Sequence, residues 1–210
     1  MHIEICAEDG SGKIFLENIL PSIIRQDVTW KVHGYKGIGR IPRNIQNTNR
    51  AQHRIILENL PKLIRGCANT PYVTALIIVV DTDNKDCTEF LNELKAIHTQ
   101  VAPNANVIFR LAIEEMEAWM LGDPDAIQAA YPNVKMAVIA AYDQDSVCGT
   151  WEVLADAVHA GGSAALKAEG WPAPGRVKCE WATNIPPHMD VSANASPSFN
   201  KLLEALAPYT

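Results

Sequence analysis

Acidic residues follow two apolar segments of this sequence at spacings that suit metal-dependent chemistry. Glu8 comes directly after the segment from His2 to Ala7, and Asp81 and Asp83 come directly after the apolar run from Ala75 to Val80. Residues two apart in an extended chain point to the same side, so Asp81 and Asp83 are expected to converge. Carboxylates gathered at one place repel one another unless a cation neutralises them, and their hard oxygen atoms suit Mg²⁺ or Mn²⁺. The spacing is therefore compatible with a metal site.

A purely structural interpretation fits the same residues equally well. In that interpretation Asp83 caps the N-terminus of the next helix, and Glu8 is an ordinary turn residue. Further acids occur at Glu114, Glu115 and Glu117, and Glu114 and Glu117 share a face if this segment is helical. Acids in the first turn of a helix are also favoured by the helix dipole. Spacing alone leaves both interpretations open.

Strand and helix patterns alternate over the first two-thirds of the chain and indicate where these acids lie. Strands are predicted at His2 to Ala7, Trp30 to Gly34, Ala75 to Val80 and Asn106 to Ala112, with helical spacing of apolar residues between them. This alternation predicts an α/β fold, a mainly parallel sheet flanked by helices. Ligands of open parallel sheets bind outside the carboxyl ends of the strands, where the acids are expected.

The pattern weakens beyond about residue 136. We expect residues 161–187 to be rich in loops, and Ser196 and Pro197 to open a last helix that carries Phe199 and Leu202. Neither an internal repeat nor a low-complexity linker is visible. We therefore predict one domain over residues 1–210, with a core of about 1–136 and a C-terminal extension of about 137–210 packed on it.

Composition excludes several classes of protein. Hydrophobic residues make up 48% of the chain and charged residues 20%, which excludes disorder, collagen and coiled coil as descriptions of the whole. The longest apolar run, Ala75 to Val80, is far shorter than the roughly 20 residues of a membrane helix. No secretory signal is readable at the N-terminus, and the five cysteines include no CxxC pair. We expect a soluble cytoplasmic protein with reduced thiols and no membrane partner.

Basic residues are concentrated in one segment. Six of the 18 Lys and Arg residues, and none of the 24 Asp and Glu residues, lie between Val28 and Leu57, although the net charge is −6. A basic segment on an acidic body can bind one stretch of phosphates, or it can simply be a solvated loop. Lys36, Arg40 and Arg43, on the loop predicted after the second strand, are the candidate phosphate contacts.

Familiar catalytic and nucleotide-binding motifs are incomplete or missing. The turn Gly10-Ser11-Gly12-Lys13 has Ala7 where a phosphate-binding loop needs its first glycine and Ile14 where it needs Ser or Thr. Phe15 likewise breaks the GxGxxG pattern. The sequence contains neither HExxH nor GxSxG, so zinc-protease and serine-hydrolase chemistry have no motif to support them.

Taken together, the segments Ile5 to Glu17 and Ile77 to Asp83 resemble the Toprim fold, the catalytic domain of topoisomerases, primases and overcoming-lysogenization-defect nucleases. More narrowly, the chain resembles domain-of-unknown-function family 4276, a Toprim-like prokaryotic group. This narrower resemblance rests on His33 to Arg40, Asp81 to Asp83, Glu115 to Pro124, and the tail from His188 to Leu203.

The resemblance implies Mg²⁺- or Mn²⁺-dependent cleavage of phosphodiester bonds. It implies that Glu8 acts as general acid or base and as a metal ligand, and that Asp81 and Asp83 bind the metal. Glu117 is implied as a further ligand or orienting group. Because Asp9 is inserted before the glycine that usually follows the first acid, either Glu8 or Asp9 faces the metal.

The resemblance further implies a nuclease acting on DNA or RNA in phage defence or in a toxin-like role, with an ATPase as a partner. Two alternatives remain at this point. One is a non-catalytic regulatory subunit of such an ATPase, and the other is a phosphohydrolase of small nucleotides. The sequence carries no signature that separates DNA from RNA.

Overall fold

The computed structural model describes residues 1–42 and 54–210. The strands in these ranges are β1 (His2–Ala7), β2 (Thr29–Gly34), β3 (Ala75–Asp81) and β4 (Val107–Ala112). They form a four-stranded, all-parallel sheet in the order β2-β1-β3-β4. The predicted α/β class is confirmed, and each predicted strand agrees with the observed one to within one residue at either end.

Helices connect and follow these strands. Over residues 1–42 and 54–210 they are α1 (Gly10–Ile19), α2 (Ile56–Ala68), α3 (Cys87–Val101), α4 (Glu117–Leu121), α5 (Pro124–Ala130), α6 (Met136–Ala140), α7 (Thr150–Val158), α8 (Gly162–Glu169), α9 (Ala173–Asn184) and α10 (Pro197–Leu206). Short 3₁₀ helices lie at Leu20–Ser22, Pro186–His188 and Ala207–Tyr209. No helix of the described part of the chain is long and apolar enough to cross a bilayer.

The C-terminal part of the chain is more helical than its sequence suggests. Residues 161–187 were expected to be rich in loops, and this is wrong, because α8 and α9 occupy most of that segment. Pro174 and Gly175 are loop-type residues, but they lie in the first turn of α9. Proline is tolerated there because its missing N–H would have no acceptor within the helix.

The sheet separates two apolar layers. Side chains alternate along β3, so Ala75, Ile77 and Val79 join one buried cluster and Leu76, Ile78 and Val80 join the other. Helices α2 and α3 cover the second cluster, and α1 and α4 to α10 contribute to the first. β3 is buried on both faces, as its uninterrupted apolar sequence predicts.

The C-terminal helices are anchored on α4, directly beside the acidic segment that follows β4. The Trp119 indole N–H donates to Ser198 Oγ (2.8 Å), and the Asn194 side-chain amide donates to the Trp119 carbonyl (2.8 Å). The Trp119 ring also contacts those of Phe15 and Phe199, with centroids 5.8 and 5.7 Å away. Two segments distant in sequence therefore meet in the core and hold α4 in place.

Candidate functional site

Carboxylates from three chain segments meet at the carboxyl edge of the sheet. β1 ends at Ala7 and is followed by Glu8, β3 ends at Asp81, and β4 ends at Ala112 and leads into α4. Because β1, β3 and β4 are neighbours and parallel, these ends lie side by side. We call Glu8, Asp9, Asp81, Glu115 and Glu117 the carboxylate cluster.

Glu8 and Asp81 are in direct contact at the centre of this edge. Glu8 Oε2 accepts a hydrogen bond from the Asp81 backbone N–H (3.0 Å). The pKa of Glu8 is raised to about 7, chiefly by burial and also by the nearby Asp83 and Asp9 carboxylates, which together outweigh the lowering effect of that hydrogen bond. Burial first, and the Glu8 carboxylate second, raise the pKa of Asp81 well above its ordinary value. The Glu8 carboxylate therefore destabilises the charged form of Asp81, while the Asp81 backbone N–H stabilises the charged form of Glu8.

Lys178, on α9, lies against the same acids from the other side. Its Nζ is 3.2 Å from Glu115 Oε1, a hydrogen bond, and 3.2 Å from Glu117 Oε2. Glu117 is only 1% exposed. Burial outweighs the lowering effect of Lys178 on both acids, so that the pKa of Glu115 is raised to about 7 and the pKa of Glu117 is raised too. Burial alone would lower the pKa of Lys178, but the surrounding carboxylates raise it, so its ammonium stays charged.

Three oxygens of the carboxylate cluster are buried without a hydrogen-bond partner, namely Asp81 Oδ1, Glu115 Oε2 and Glu117 Oε2. A buried acceptor left unpaired costs about 1–3 kcal/mol unless a proton or a cation compensates it. Carboxylate oxygens are the ligands that Mg²⁺ and Mn²⁺ prefer. Across residues 1–42 and 54–210, however, no group of three or more His, Cys, Asp or Glu side chains is arranged to hold a metal ion. Carboxylate oxygens are suitable ligands for a divalent ion. In this structure, however, the side chains around Lys178 do not enclose such an ion.

Asp9 caps a helix, while Glu8 reaches β3. Asp9 Oδ1 accepts from the Gly12 N–H (2.7 Å) and from Ser11 Oγ (2.9 Å), and so satisfies the N-terminus of α1. Its charge nevertheless raises the pKa of Asp81. Of the two acids that the sequence left open, Glu8 is the one whose carboxylate contacts the end of β3.

Asp83 departs from the arrangement that its spacing predicts. The strand ends at Asp81, and Asp83 adopts a left-handed backbone conformation with φ +48°, so the two side chains do not follow extended geometry. Its carboxylate is 53% exposed and lies 3.2 Å from Lys85 Nζ. The helix cap that the structural interpretation assigns to Asp83 is wrong, because Asp86 caps α3. A metal-binding role for Asp83 stays a prediction.

Glu114 has a structural task. Its carboxylate accepts hydrogen bonds from the backbone N–H groups of Cys148, Gly149 and Thr150 and from the Thr150 hydroxyl, at 2.7 to 3.2 Å. Burial raises the pKa of Glu114, but these hydrogen bonds outweigh it, and the net shift is downward. Glu114 therefore fixes the N-terminus of α7 and leaves Glu115 and Glu117 to face Lys178.

The basic loop begins beside Glu8. The Tyr35 N–H donates to the Ala7 carbonyl (3.0 Å), and the Gly37 N–H donates to the Glu8 carbonyl (2.9 Å). Lys36 and Arg40 are exposed on this loop, and Arg43 lies outside the described residues. The start of the loop is thus attached to the same sheet edge as the carboxylate cluster.

Lys178 is the site residue that sequence reasoning missed. It lies in the segment predicted as loop, almost 100 residues from Asp81, and no local motif marks it. A helical interpretation of residues 173–184 would have placed Lys178 one position after the buried Val177, on the border of the buried face. Even that interpretation would not have shown that α9 packs near β3.

The protein is thus an α/β protein with an all-parallel sheet, and carboxylates gather around a lysine at the carboxyl edge of that sheet. The chain belongs to the family described as Domain of unknown function (DUF4276), whose family model matches residues 7–207. This match includes the whole carboxylate cluster and Lys178. No curated protein and no solved structure matches the chain.

Replacing Lys178 by methionine is expected to lower the free energy of unfolding in a pH-dependent way. Glu115 and Glu117 would lose their cation, and breaking a buried ion pair by removing one partner costs about 3–5 kcal/mol. Carboxyl groups whose pKa is raised on folding stabilise the fold at low pH, and that contribution is lost as pH rises through the folded-state pKa. The loss should therefore be largest at pH 8 and several-fold smaller at pH 5, as measured by urea denaturation.

The matched control is Lys167→Met. Lys167 pairs with Glu152 (3.0 Å), but its side chain is 56% exposed, so the change should stay below about 1 kcal/mol at both pH values. A Lys178→Met loss that is the same at pH 5 and pH 8 would contradict the proposed charge balance.

Proposed function

We propose that this protein is a Mg²⁺- or Mn²⁺-dependent phosphodiesterase that cleaves nucleic acid at the carboxylate cluster. The observation that carries the proposal is the buried Asp81 Oδ1, which has no hydrogen-bond partner, next to Glu8 and the buried Glu117, at the edge where α/β proteins bind ligands. The finer classification as Toprim-like is part of this proposal. It is supported by the adjacency of β1, which leads into Glu8 and α1, and β3, which ends in Asp81.

In this proposal Asp81 and Glu117 hold the divalent ion, with Glu8 and Asp83 as further ligands. A bound divalent ion polarises a phosphoryl oxygen and makes a bound water more acidic. Glu8 is suited to proton transfer near neutral pH, because burial brings its pKa to about 7. Asp83 stays in the proposed ligand set because its charge acts on Glu8.

The proposed substrate class rests on the basic loop. Lys36 and Arg40 are exposed on a loop whose backbone is hydrogen-bonded to Glu8, so phosphates bound there would lie near the carboxylate cluster. Arg43 is proposed as a third contact on the basis of its sequence position. A role in phage defence or as a toxin, a cytoplasmic location and an ATPase partner complete the proposal on the basis of family resemblance.

The two alternative functions predict different effects of substitutions in the acids and in the basic loop. A phosphohydrolase of small nucleotides would need the acids but would tolerate neutral residues in the basic loop. A regulatory subunit of an ATPase would tolerate loss of both Glu8 and Asp81.

Replacing Glu8 by glutamine and Asp81 by asparagine together is expected to reduce cleavage at least 100-fold, because the variant loses a proton-transfer group and a metal ligand. The measurement is Mn²⁺- or Mg²⁺-dependent cleavage of tRNA, single-stranded RNA, plasmid DNA and linear DNA. Glu204→Gln, a surface carboxylate paired with Lys201, is the matched control and should cleave like the wild type. Equal cleavage by the double variant and the wild type would refute the proposed site.

Replacing Arg40 by alanine should weaken nucleic-acid binding and reduce its salt dependence. Each phosphate contact contributes about 0.9 to the slope of log K against log salt on duplex DNA and about 0.7 on single strands. Fluorescence-anisotropy titrations at several salt concentrations measure this slope. Arg25→Ala is the control, since Arg25 is exposed before β2, at the opposite edge of the sheet, and pairs with Asp27. An unchanged slope for Arg40→Ala would exclude this contact.

A further inference from the structure

The carboxylate cluster already contains a cation of its own. The Lys178 ammonium lies within 3.2 Å of an oxygen of both Glu115 and Glu117, and its charge also acts on Asp81. Only 16% of the Lys178 side chain is exposed. An ammonium is strongly hydrated in water, so it is buried at this depth only because several carboxylates surround it.

One ammonium does not satisfy the cluster. Asp81 Oδ1 and Glu115 Oε2 are buried and have neither a hydrogen-bond partner nor an ion-pair contact with Lys178. Glu117 Oε2 is also buried and lies 3.2 Å from the Lys178 ammonium. Because the charge of Lys178 acts on Asp81 as well, a doubly charged ion at that place would neutralise more of the cluster than Lys178 does.

We propose that Lys178 is the resident cation of the carboxylate cluster, and that a divalent ion binds by displacing its ammonium from Glu115 and Glu117. This inference rests on the proposed function in that it concerns the same metal. It adds that Lys178 sets the metal affinity by competing for the ligands. The ammonium lies at the end of a flexible four-carbon stem and 16% of the side chain is exposed, so in this proposal it moves toward solvent by rotation of the side chain.

The competition predicts that removing the charge of Lys178 tightens metal binding. Mn²⁺ titrations by calorimetry and by electron paramagnetic resonance of free Mn²⁺ would compare wild type, Lys178→Met, Lys178→Arg and Lys167→Met. Lys178→Met is expected to bind at least tenfold more tightly, whereas Lys178→Arg keeps the charge and should bind no more tightly than wild type. Lys167→Met should agree with wild type within about twofold. Unchanged or weaker binding by Lys178→Met would overturn the proposal.

A second measurement uses only the wild type, in case Lys178→Met does not fold. Reductive methylation of lysines, located by mass spectrometry, would be compared with and without Mn²⁺. Displacement exposes the ammonium, so Lys178 should be labelled several-fold faster with Mn²⁺, whereas Lys167 should not change. Equal or slower labelling of Lys178 in saturating Mn²⁺ would overturn the proposal.

The outcomes separate this inference from the proposed nuclease. Tighter Mn²⁺ binding by Lys178→Met in a protein that cleaves no nucleic acid supports the competition and refutes the nuclease. Cleavage by wild type without any gain in Mn²⁺ affinity for Lys178→Met refutes the competition and leaves the nuclease standing. Absence of Mn²⁺ binding to both proteins refutes both.

Discussion

Like charges buried close together are the constraint around which this edge of the molecule is organised. Glu8 contacts the Asp81 backbone, Glu117 is buried, and the half-buried Asp81 and Glu115 each have one carboxylate oxygen that is inaccessible to solvent. Carboxylates in such surroundings must be protonated, paired with a cation or bound to a metal. Lys178 supplies one positive charge, and the raised pKa values of Glu8, Asp81, Glu115 and Glu117 favour the neutral forms of these acids.

The fold gathers these charges through its strand order. Because β3 lies between β1 and β4 in an all-parallel sheet, residues that follow three separate strands emerge next to one another. The C-terminal helices then complete the arrangement. The Trp119–Ser198 hydrogen bond holds α4 in place, and α9 packs on α1 and brings Lys178 to the acids. The C-terminal extension is thus part of the candidate site as well as of the core.

Much of the fold and half of the candidate site could be predicted from the sequence. The uninterrupted apolar run of β3 and the acids at the ends of β1 and β3 are local signals, and parallel topology follows from strand–helix alternation. The site residue Lys178 could not be predicted, because its role depends on how α9 packs and its own neighbours in sequence carry no motif. The convergence of Asp83 with Asp81 was predicted from local spacing alone. That prediction required an extended backbone, which the turn after Asp81 does not have.

We propose that the carboxylate cluster binds a divalent cation in place of Lys178, and a crystal structure of the protein with Mn²⁺ would show this binding. Anomalous scattering would be recorded at the manganese edge. We expect an anomalous peak within bonding distance of Asp81 Oδ1 and a Glu117 oxygen, with the Lys178 ammonium moved away from both glutamates. An anomalous peak elsewhere, or no peak at a saturating Mn²⁺ concentration while Lys178 still contacts Glu115 and Glu117, would contradict it.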